Sequence, residues 1–592
     1  MNLILMISLF YPLLGDIWST QPFDQKIDPP ESEIFVPTKD VNVQFKYLDR
    51  IKDPRVRGET VKMLGLTNNK VVAQELEGIL KEEKDQNIVA ESLRSIYNQR
   101  KIFKPVKIDY YRDNLKNNSQ FIRLYSNLVF LNSGGNAYQV FKSLETEDNE
   151  FVANMIWNEL RNCVIKQDLQ KLEGLLKSSF MPNRCGAAYF IGKFESKEKS
   201  LKEALDAVSK DDSSVKISFV SGIKAGMNEA GIFCLDKLSD DQIVPVRTAV
   251  AENNIVNPLL ENVLIKLTED SDFEVRRLAC LTLGNYKSDN SVLTLIKKIA
   301  DASFFVRTAA EDSLVKLSPQ NQFIEMIGGE SLDNSVSQDS ALRVLGLLCK
   351  KEYSEKITGI LKDAKLDETI ARAIRTLGSF DYKESSDVVV SFADHKNPSV
   401  RKAIAWTLGR FNLPETYDLL RKLDKDSDLQ VRLEAIRSIA LTGNNVFAGI
   451  LFENLKEYTV SADVRAHASW AIAKTFSYDK KILSTLERNI TQEVIPTPMG
   501  SSYDTLFARV SAFWALAALN SKYKDAGEAA NKIYSIIQRD TKELGYTSAL
   551  EYNMYQALCM MDGKKPEPKK LEMQDPLFFF PVNKIKEDKE VK

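Results

Sequence analysis

Histidine is nearly absent from this sequence. Only His395 and His467 occur among its 592 residues, which excludes His-rich metal sites and disfavours most His-based catalysis. Asp463 precedes His467 by one helical turn, but two ligands without a third do not make a metal site, so a structural histidine is expected. Gly-rich phosphate motifs and the Gly-x-Ser-x-Gly motif are also missing. The sequence therefore predicts no catalytic residue, no metal and no cofactor.

Cysteine is scarce and is never closely paired. The six cysteines include no Cys-x-x-Cys spacing, which excludes zinc ribbons and thioredoxin-type motifs. Their scatter along the chain predicts mostly free, buried thiols. Cys163 and Cys185 fall close enough in the chain to be neighbours, and the sequence leaves their pairing open.

Neither an excess of positive charge nor a membrane-spanning apolar run is present. Lys plus Arg total 80 and Asp plus Glu total 82, a net charge of -2, so nothing global favours nucleic acid. The apolar run at residues 3–14 has the length of a signal-peptide core and is too short to cross a bilayer. Residues 1–20 are therefore predicted to be a signal peptide and the protein to be exported, periplasmic or secreted. Membrane association through an uncleaved N-terminal segment is the alternative.

The dominant feature that is present is an internal repeat. The segment from Asp272 reads DFEVRRLACLTLG, and related segments begin at Asp53, Asn397 and Asp428. The valine of the Val-Arg pair recurs mostly every 29 to 33 residues, which indicates about fifteen units. Asp or Asn three residues earlier can cap a helix, and the apolar residues follow helical spacing. Each unit is predicted to be a helix hairpin that buries its apolar face by stacking on its neighbours.

This pattern, Asp-x-x-Val-Arg-x-x-Ala-x-x-x-Leu-Gly, resembles that of HEAT-repeat proteins, specifically the short-repeat kind related to bilin lyases. The resemblance implies an all-α fold, a right-handed α-solenoid of roughly fifteen HEAT-like helix hairpins, over residues 45–562. It also implies that the helices carrying the Val-Arg pair line the concave side.

Three segments depart from the repeat. Residues 21–44 are rich in Pro and acidic residues, which predicts an extended linker. One unit carries about thirteen extra residues, and this excess, at residues 491–503, predicts an inserted loop. Residues 563–592 form a Lys- and Pro-rich tail whose triplet Phe578–Phe580 is predicted to dock on the last unit as a cap, with recognition by another protein as the alternative.

One row of side chains is a candidate binding stripe on the concave wall. The sixth residue after the repeat valine points away from the buried face of its helix. Arg and Trp are favoured in binding hot spots, so their row predicts a site for an extended peptide, an acidic segment or a glycan. The alternative is that the tryptophans fill grooves between helices and the arginines pair with neighbouring carboxylates. In the last six full units the row consists of Arg343, Arg375, Trp406, Arg437, Trp470 and Trp514.

The arginine that follows the repeat valine is predicted to be structural. The HEAT resemblance implies that it joins a polar ladder with the acidic residue of the turn, and residues such as Asp272 and Asp428 accompany it. Phosphate binding is the less favoured alternative. The predicted ladder comprises Arg57, Arg247, Arg276, Arg307, Arg401, Arg432 and Arg465.

Together these features predict a non-enzymatic scaffold or adaptor that holds an envelope or extracellular protein partner along its concave face. By analogy with bilin lyases, the alternative is a cofactor-maturation or lyase-like enzyme of the same fold. A nucleic-acid binder is disfavoured by the neutral charge and the export segment, and no stable membrane span is expected after signal removal.

Overall fold

A computed structural model describes residues 53–66, 70–105, 108–161, 169–459, 461–497, 500–544 and 549–564. The predicted signal peptide, the predicted linker, Cys163 and the Phe578–Phe580 triplet lie outside the described residues. Within the described ranges the chain forms thirty-one α-helices and one two-stranded sheet.

The chain divides into two compact units, residues 1–222 and 223–592. The helices of the first unit, the last of which runs past its boundary, are α1 (Pro54–Leu64), α2 (Lys70–Ile79), α3 (Gln86–Asn98), α4 (Ile108–Asp113), α5 (Gln120–Asn132), α6 (Ala137–Leu144), α7 (Glu150–Leu160), α8 (Leu169–Leu176), α9 (Met181–Phe194), α10 (Glu198–Val208) and α11 (Ser213–Gly226).

The second unit contains the remaining helices, a π-helical turn at Ile327–Ser331 and the sheet. Its elements are α12 (Ile232–Leu238), α13 (Val244–Ala251), α14 (Pro258–Leu267), α15 (Phe273–Leu283), α16 (Asp289–Lys298), α17 (Phe304–Leu317), α18 (Asn321–Met326), α19 (Gln338–Leu347), α20 (Ser354–Asp363), α21 (Asp367–Ser379), α22 (Ser386–Val390), α23 (Pro398–Phe411), α24 (Tyr417–Leu423), α25 (Leu429–Thr442), α26 (Ala448–Leu455), α27 (Ala462–Thr475), α28 (Lys480–Thr491), β1 (Glu493–Thr497), β2 (Gly500–Tyr503), α29 (Leu506–Leu519), α30 (Lys524–Leu544) and α31 (Ala549–Met561).

The helices form two layers in each unit. The odd-numbered helices from α1 to α29 are the fifteen helices of the predicted repeat units. Successive members pack closely on each other from α1 to α9 in the first unit and from α13 to α29 in the second. Successive even-numbered helices make few contacts with each other. Because the closer spacing belongs to the inner side of a curved stack, the odd-numbered helices form the inner layer and the even-numbered helices the outer layer. The predicted all-α architecture of stacked hairpins is confirmed.

The repeat motif explains how one hairpin is built. At the start of α15 the carboxylate of Asp272 accepts hydrogen bonds from two backbone N–H groups, which caps the helix. Val275 is fully buried against the neighbouring helices. A Cβ on Gly284 would lie 2.6 Å from the hydroxyl oxygen of Ser313 on α17, and that hydroxyl donates to a backbone carbonyl of α15, at 2.9 Å. The repeat glycine therefore lets α15 and α17 approach closely here.

The inserted segment differs from the expectation of a loop, because it forms an antiparallel hairpin. Strands β1 and β2 pair Ile495 with Ser502 and Thr497 with Gly500. The β-branched residues of β1 favour an extended backbone, and Gly500 has a φ of 133°, which favours glycine. The hairpin connects the two helices of one unit, α28 and α29, where the extra residues were expected.

Cysteines of the described part are free thiols. Cys185, Cys234, Cys280 and Cys559 are buried or half-buried, and Cys349 is exposed. Burial raises the pKa of the Cys234 and Cys280 thiols to about 12, so both are protonated and unreactive near neutral pH. The prediction of mostly free, buried thiols is confirmed.

Candidate functional site

The arginine after each repeat valine joins the turns of successive hairpins. The Nη1 group of Arg276 donates to the carbonyl oxygens of Asp270 and Ser271, at 2.9 and 3.2 Å. Its Nε and Nη2 groups donate to the two carboxylate oxygens of Asp301 in the next turn, both at 2.9 Å. Burial raises the pKa of Asp301, but hydrogen bonds from Arg276 and from the backbone of Ser303 outweigh it and hold that pKa below its usual range.

We call each such arginine with its carboxylate a rung, and the series the arginine ladder. The acidic partner is not the aspartate that precedes the valine, because residues such as Asp272 and Asp428 cap their own helices. Arg307 has the two carbonyl contacts but no carboxylate partner in the described part of the chain. The other predicted members form rungs: Arg57 with Glu83, Arg247 with Asp270, Arg276 with Asp301, Arg401 with Asp426, Arg432 with Glu457, and Arg465 with Asp504.

The predicted binding stripe lies on the inner helices, but its arginines have different environments. Arg343 donates to Glu311 at 2.8 Å and to Asp312 at 2.9 Å, both on α17, so its guanidinium is neutralised between two helices. Arg437 is exposed, and its Nη1 lies 3.7 Å from a carboxylate oxygen of Glu434 on the same helix. The structural alternative therefore describes Arg343, while Arg437 keeps an accessible guanidinium.

Three residues of the stripe region form the Trp406 cluster, which we define as Arg375, Trp406 and Arg410. The guanidinium carbon of Arg410 lies 3.4 Å from the centroid of the half-buried indole ring, and that of Arg375 lies 5.7 Å away. Neither guanidinium forms an ion pair with a carboxylate of the described residues. Burial lowers the pKa of Arg410, the negative charge of Glu434 opposes this, and the positive charge of Arg375 adds to it. The cluster thus holds two exposed positive groups on one aromatic ring.

The backbone of α21 makes room for this ring. A Cβ on Gly378 would come within 2.8 Å of Trp406 Cζ3 and 2.6 Å of Thr407 Oγ1, so glycine lets α23 lie close and seats the indole against α21. Arg410 was missed by the sequence reasoning, which followed one position per repeat. The i, i+4 spacing could have predicted this contact, because a residue four positions after Trp406 lies on the same face of the helix.

Trp470 and Trp514 are half-buried on α27 and α29. No guanidinium or ammonium group of the described residues lies over either ring, so the structure does not extend the Trp406 cluster to them. Nearby, His467 Nδ1 lies 2.7 Å from the backbone carbonyl oxygen of Asp463, not from its carboxylate. Burial lowers the pKa of His467, which keeps the imidazole neutral near neutral pH. These contacts place His467 in a helix-packing role.

An open cavity of about 780 Å³ lies where the turn after α24 meets α26 and β1. Asp424 lines it and is only 1% exposed. Its Oδ1 accepts a hydrogen bond from Asn454 at 2.7 Å, whereas Oδ2 is buried without a donor among the described residues. Burial raises the pKa of Asp424 to about 6 although the Asn454 hydrogen bond opposes the shift. Two charged side chains of the lining, Arg432 and Glu457, form a rung with each other.

Metal-ligand clusters and membrane-spanning helices are the remaining candidate features. Within the described ranges, no group of three or more His, Cys, Asp or Glu side chains could hold a metal ion. None of the helices placed there combines the length and the apolar character that crossing a bilayer requires.

Comparison with known proteins identifies the repeat. A family model described as HEAT repeats matches residues 354–440, which span α20 to α25 and include the rung of Arg401 and Asp426. This chain is a HEAT-repeat protein. The HEAT repeat thus explains the stacked hairpins and the arginine ladder together. No curated protein matches the sequence.

Solved structures share the HEAT solenoid at low identity. A structure of Kap95p with RanGDP is 10% identical, with 88% of this chain and 77% of that chain covered and a TM-score of 0.54. Importin beta in a polyethylene glycol condition is also 10% identical, with 85% and 76% covered and a TM-score of 0.50. The CpcE and CpcF complex of phycocyanin lyase from Nostoc sp. is 18% identical, covers 39% of this chain and 94% of that chain, and has a TM-score of 0.28. The first two likenesses show the fold alone, and the third carries no argument for lyase activity.

Proposed function

We propose that this HEAT-repeat protein is a non-enzymatic scaffold whose inner layer, around the Trp406 cluster, binds an extended acidic segment of a protein partner. Stacked repeats present a long continuous surface, which suits recognition of extended polypeptides. The observation that carries the proposal is the contrast between two sets of arginines. Six predicted ladder arginines bind carboxylates of their own chain, whereas Arg375 and Arg410 face the inner surface with none.

The electrostatics of the cluster favour a negatively charged ligand. The positive charges of Arg375 and Arg410 repel each other. Burial is the main cause of the lowered pKa of Arg410, the charge of Glu434 opposes it, and the charge of Arg375 lowers that pKa further. A partner carboxylate placed between them would relieve this repulsion and form charge-assisted hydrogen bonds. The indole of Trp406 offers apolar area beside the same point, and Arg and Trp are the residue types that dominate binding hot spots.

The test is affinity capture from the native host with three forms of the full chain. The double variant Arg375→Gln/Arg410→Gln removes both charges and leaves Trp406 in place. The control is Arg421→Gln, which removes one arginine from the outer helix α24. We expect one protein to be captured by the wild type and the control and to be lost from the double variant, with all three forms folded by circular dichroism. Equal capture by all three forms would refute a role for the Trp406 cluster.

Export is the second part of the proposal, and it rests on the apolar run at residues 3–14. The partner would then be an envelope or extracellular protein. A reporter enzyme that is active only outside the cytoplasm, fused after residue 44, measures export directly. We expect activity with residues 1–20 present and none after their deletion, and activity that does not depend on residues 1–20 would contradict export by a signal peptide.

The cavity at Asp424 favours a lyase-like or cofactor-maturation enzyme as the second candidate. A carboxyl with a pKa of about 6 can donate and accept protons near neutral pH, as acid–base catalysis requires. The scaffold is better supported because Asp424 is almost inaccessible. Incubation of the purified chain with a bilin chromophore tests the candidate. A bound species that shifts the visible spectrum and is lost in Asp424→Asn supports enzyme function, and an unchanged spectrum refutes it.

A further inference from the structure

One position of the arginine ladder lacks its carboxylate. The Nη1 group of Arg307 donates to the carbonyl oxygens of Asp301 and Ala302, at 2.8 and 3.1 Å, as the corresponding group of Arg276 does in its own turn. The Nε and Nη2 groups, which bind Asp301 in the rung of Arg276, have no carboxylate partner for Arg307 among the described residues. The guanidinium is therefore held in the orientation of a rung with its other edge open.

The next hairpin explains why this edge is open. The carboxylates of the neighbouring rungs follow their arginines by 23 to 25 residues. For Arg307 that spacing reaches Glu330, which lies inside the π-helical turn Ile327–Ser331 and forms no ion pair with Arg307, and the first acidic residue after the turn is Asp333. The π-helical turn Ile327–Ser331 interrupts the outer helix just before it and shifts the register of the chain. Asp333 instead pairs with Lys356 on α20, with Nζ and Oδ1 2.7 Å apart.

A row of exposed aromatic rings begins beside the same guanidinium. Phe304 and Phe305, the first two residues of α17, are 58% and 59% exposed, and Phe273, the first residue of α15, is 45% exposed. The ring centroids of Phe273 and Phe305 lie 6.0 Å apart, and those of Phe304 and Phe305 lie 5.8 Å apart. The guanidinium carbon of Arg307 lies 6.0 Å from the Phe304 ring. Three clustered, solvent-facing phenylalanines are unusual on a soluble protein and typical of an interaction site.

We propose that Arg307, Phe273, Phe304 and Phe305 form a second docking surface, which binds a peptide segment of another protein that carries an acidic residue beside apolar side chains. We call these four residues the Arg307 surface. Charge complementarity determines the occupant, because the open edge of Arg307 has the geometry that the ladder uses to bind a carboxylate with two hydrogen bonds. The ligand carboxylate replaces the missing rung, and its apolar neighbours cover the three rings.

The Arg307 surface differs in position from the Trp406 cluster. Its residues lie in the first turns of α15 and α17, at the edge of the inner layer, whereas the Trp406 cluster lies in the C-terminal halves of α21 and α23. The two surfaces share no residue, so substitutions at one leave the contacts of the other unchanged. The inference therefore does not depend on the function proposed for the Trp406 cluster.

A random-peptide library selected on the immobilised full chain tests the inference, with the affinities of the enriched peptides measured by fluorescence anisotropy. The two variants are Arg307→Gln, which removes the charge, and Phe305→Ser, which removes an exposed ring and leaves Arg307 intact. Arg375→Gln/Arg410→Gln serves as the matched control at the other surface. Arg307→Gln loses the hydrogen bonds to the carbonyl oxygens of Asp301 and Ala302 but no ion pair, so the urea denaturation midpoint should fall only slightly and the variant should stay folded.

We expect the selected peptides to carry Asp or Glu next to apolar residues. A charge-assisted hydrogen-bond pair predicts that Arg307→Gln weakens them about tenfold or more. Phe305→Ser should weaken the same peptides, and the control should bind them as the wild type does. Selection of peptides without an acidic residue, or acidic peptides that bind Arg307→Gln unchanged, would overturn the inference. Acidic peptides lost only in the control would overturn it while supporting the Trp406 cluster.

Discussion

Breaking the most buried rung of the ladder should cause the largest loss in the free energy of unfolding. The side chains of Arg465 and Asp504 are 3% and 1% exposed. Arg465 Nε and Nη2 donate to both carboxylate oxygens of Asp504 at 2.6 and 2.8 Å, and Nη1 donates to the carbonyl oxygen of Glu457 at 2.7 Å. Asp504→Ala removes the carboxylate and leaves a positive charge in a site that water does not reach.

The expected cost follows from that burial. Removing one partner of a buried ion pair costs about 3–5 kcal/mol, because the remaining charge is desolvated without compensation. The rung of Arg432 and Glu457 is the comparison, since its side chains are 15% and 31% exposed. Water can solvate Arg432 after Glu457→Ala, so that variant should lose about 1 kcal/mol or less.

Urea denaturation followed by circular dichroism measures the free energy of unfolding of both variants. A solenoid can unfold in parts, so hydrogen exchange of the amides in α27 and α29 is needed as a local measure of the Asp504 rung. We expect Asp504→Ala to lose about 2 kcal/mol more than Glu457→Ala. Equal losses for the two variants, or a larger loss for Glu457→Ala, would refute the reasoning that burial sets the strength of each rung.

Three further predictions concern pH and packing. Burial raises the pKa of Asp424 to about 6. Because the folded protein then holds this proton more tightly than the unfolded chain does, the free energy of unfolding should fall by about 2–3 kcal/mol as pH rises from about 4 to about 6. Melting curves of Asp424→Asn should lack this fall. The pKa of Asp301 is lowered, so its rung contributes stability above about pH 4 that is lost on acidification, and urea midpoints of Asp301→Asn should depend less on pH in that range. Gly378→Ala places a Cβ 2.8 Å from Trp406 Cζ3, so it should lower the free energy of unfolding by about 1–3 kcal/mol and change the tryptophan fluorescence. Gly359→Ala is the control, because its Cβ would have no neighbour within 4 Å. It should leave the fluorescence unchanged and stabilise its helix by about 0.5–1 kcal/mol.

The repeat itself could be predicted from the sequence because its determinants are local. The capping aspartate, the Val-Arg pair and the small residue at the helix crossing recur with the same spacing, and each has a physical role that the structure shows at Asp272, Arg276 and Gly284. The identity of the helices therefore followed from periodicity. The carboxylate of each rung was harder to assign, because several acidic residues flank every turn and only the path of the turn decides which one faces the arginine.

The candidate surfaces could be predicted only in part. Arg343 and Arg375 occupy equivalent repeat positions, but the first meets Glu311 on the preceding inner helix and the second meets the Trp406 ring. That difference depends on side chains of the neighbouring repeats, about thirty residues away in the chain. Comparing a single position across the repeats does not take those side chains into account. The open edge of Arg307 has the same origin, because it depends on a π-helical turn in the following hairpin.

Site-specific photo-crosslinking tests most directly whether the inner layer binds a protein. A photoreactive residue replaces Leu441, which is 55% exposed on α25, the inner helix that follows α23. In a second protein it replaces Asp418 on the outer helix α24, whose side chain is 95% exposed. The proposed function predicts that position 441 crosslinks one protein of the native host, that this product disappears in the Arg375→Gln/Arg410→Gln background, and that position 418 gives none. Crosslinking of the same protein from position 418 alone, or unchanged crosslinking from position 441 in the double variant, would contradict it.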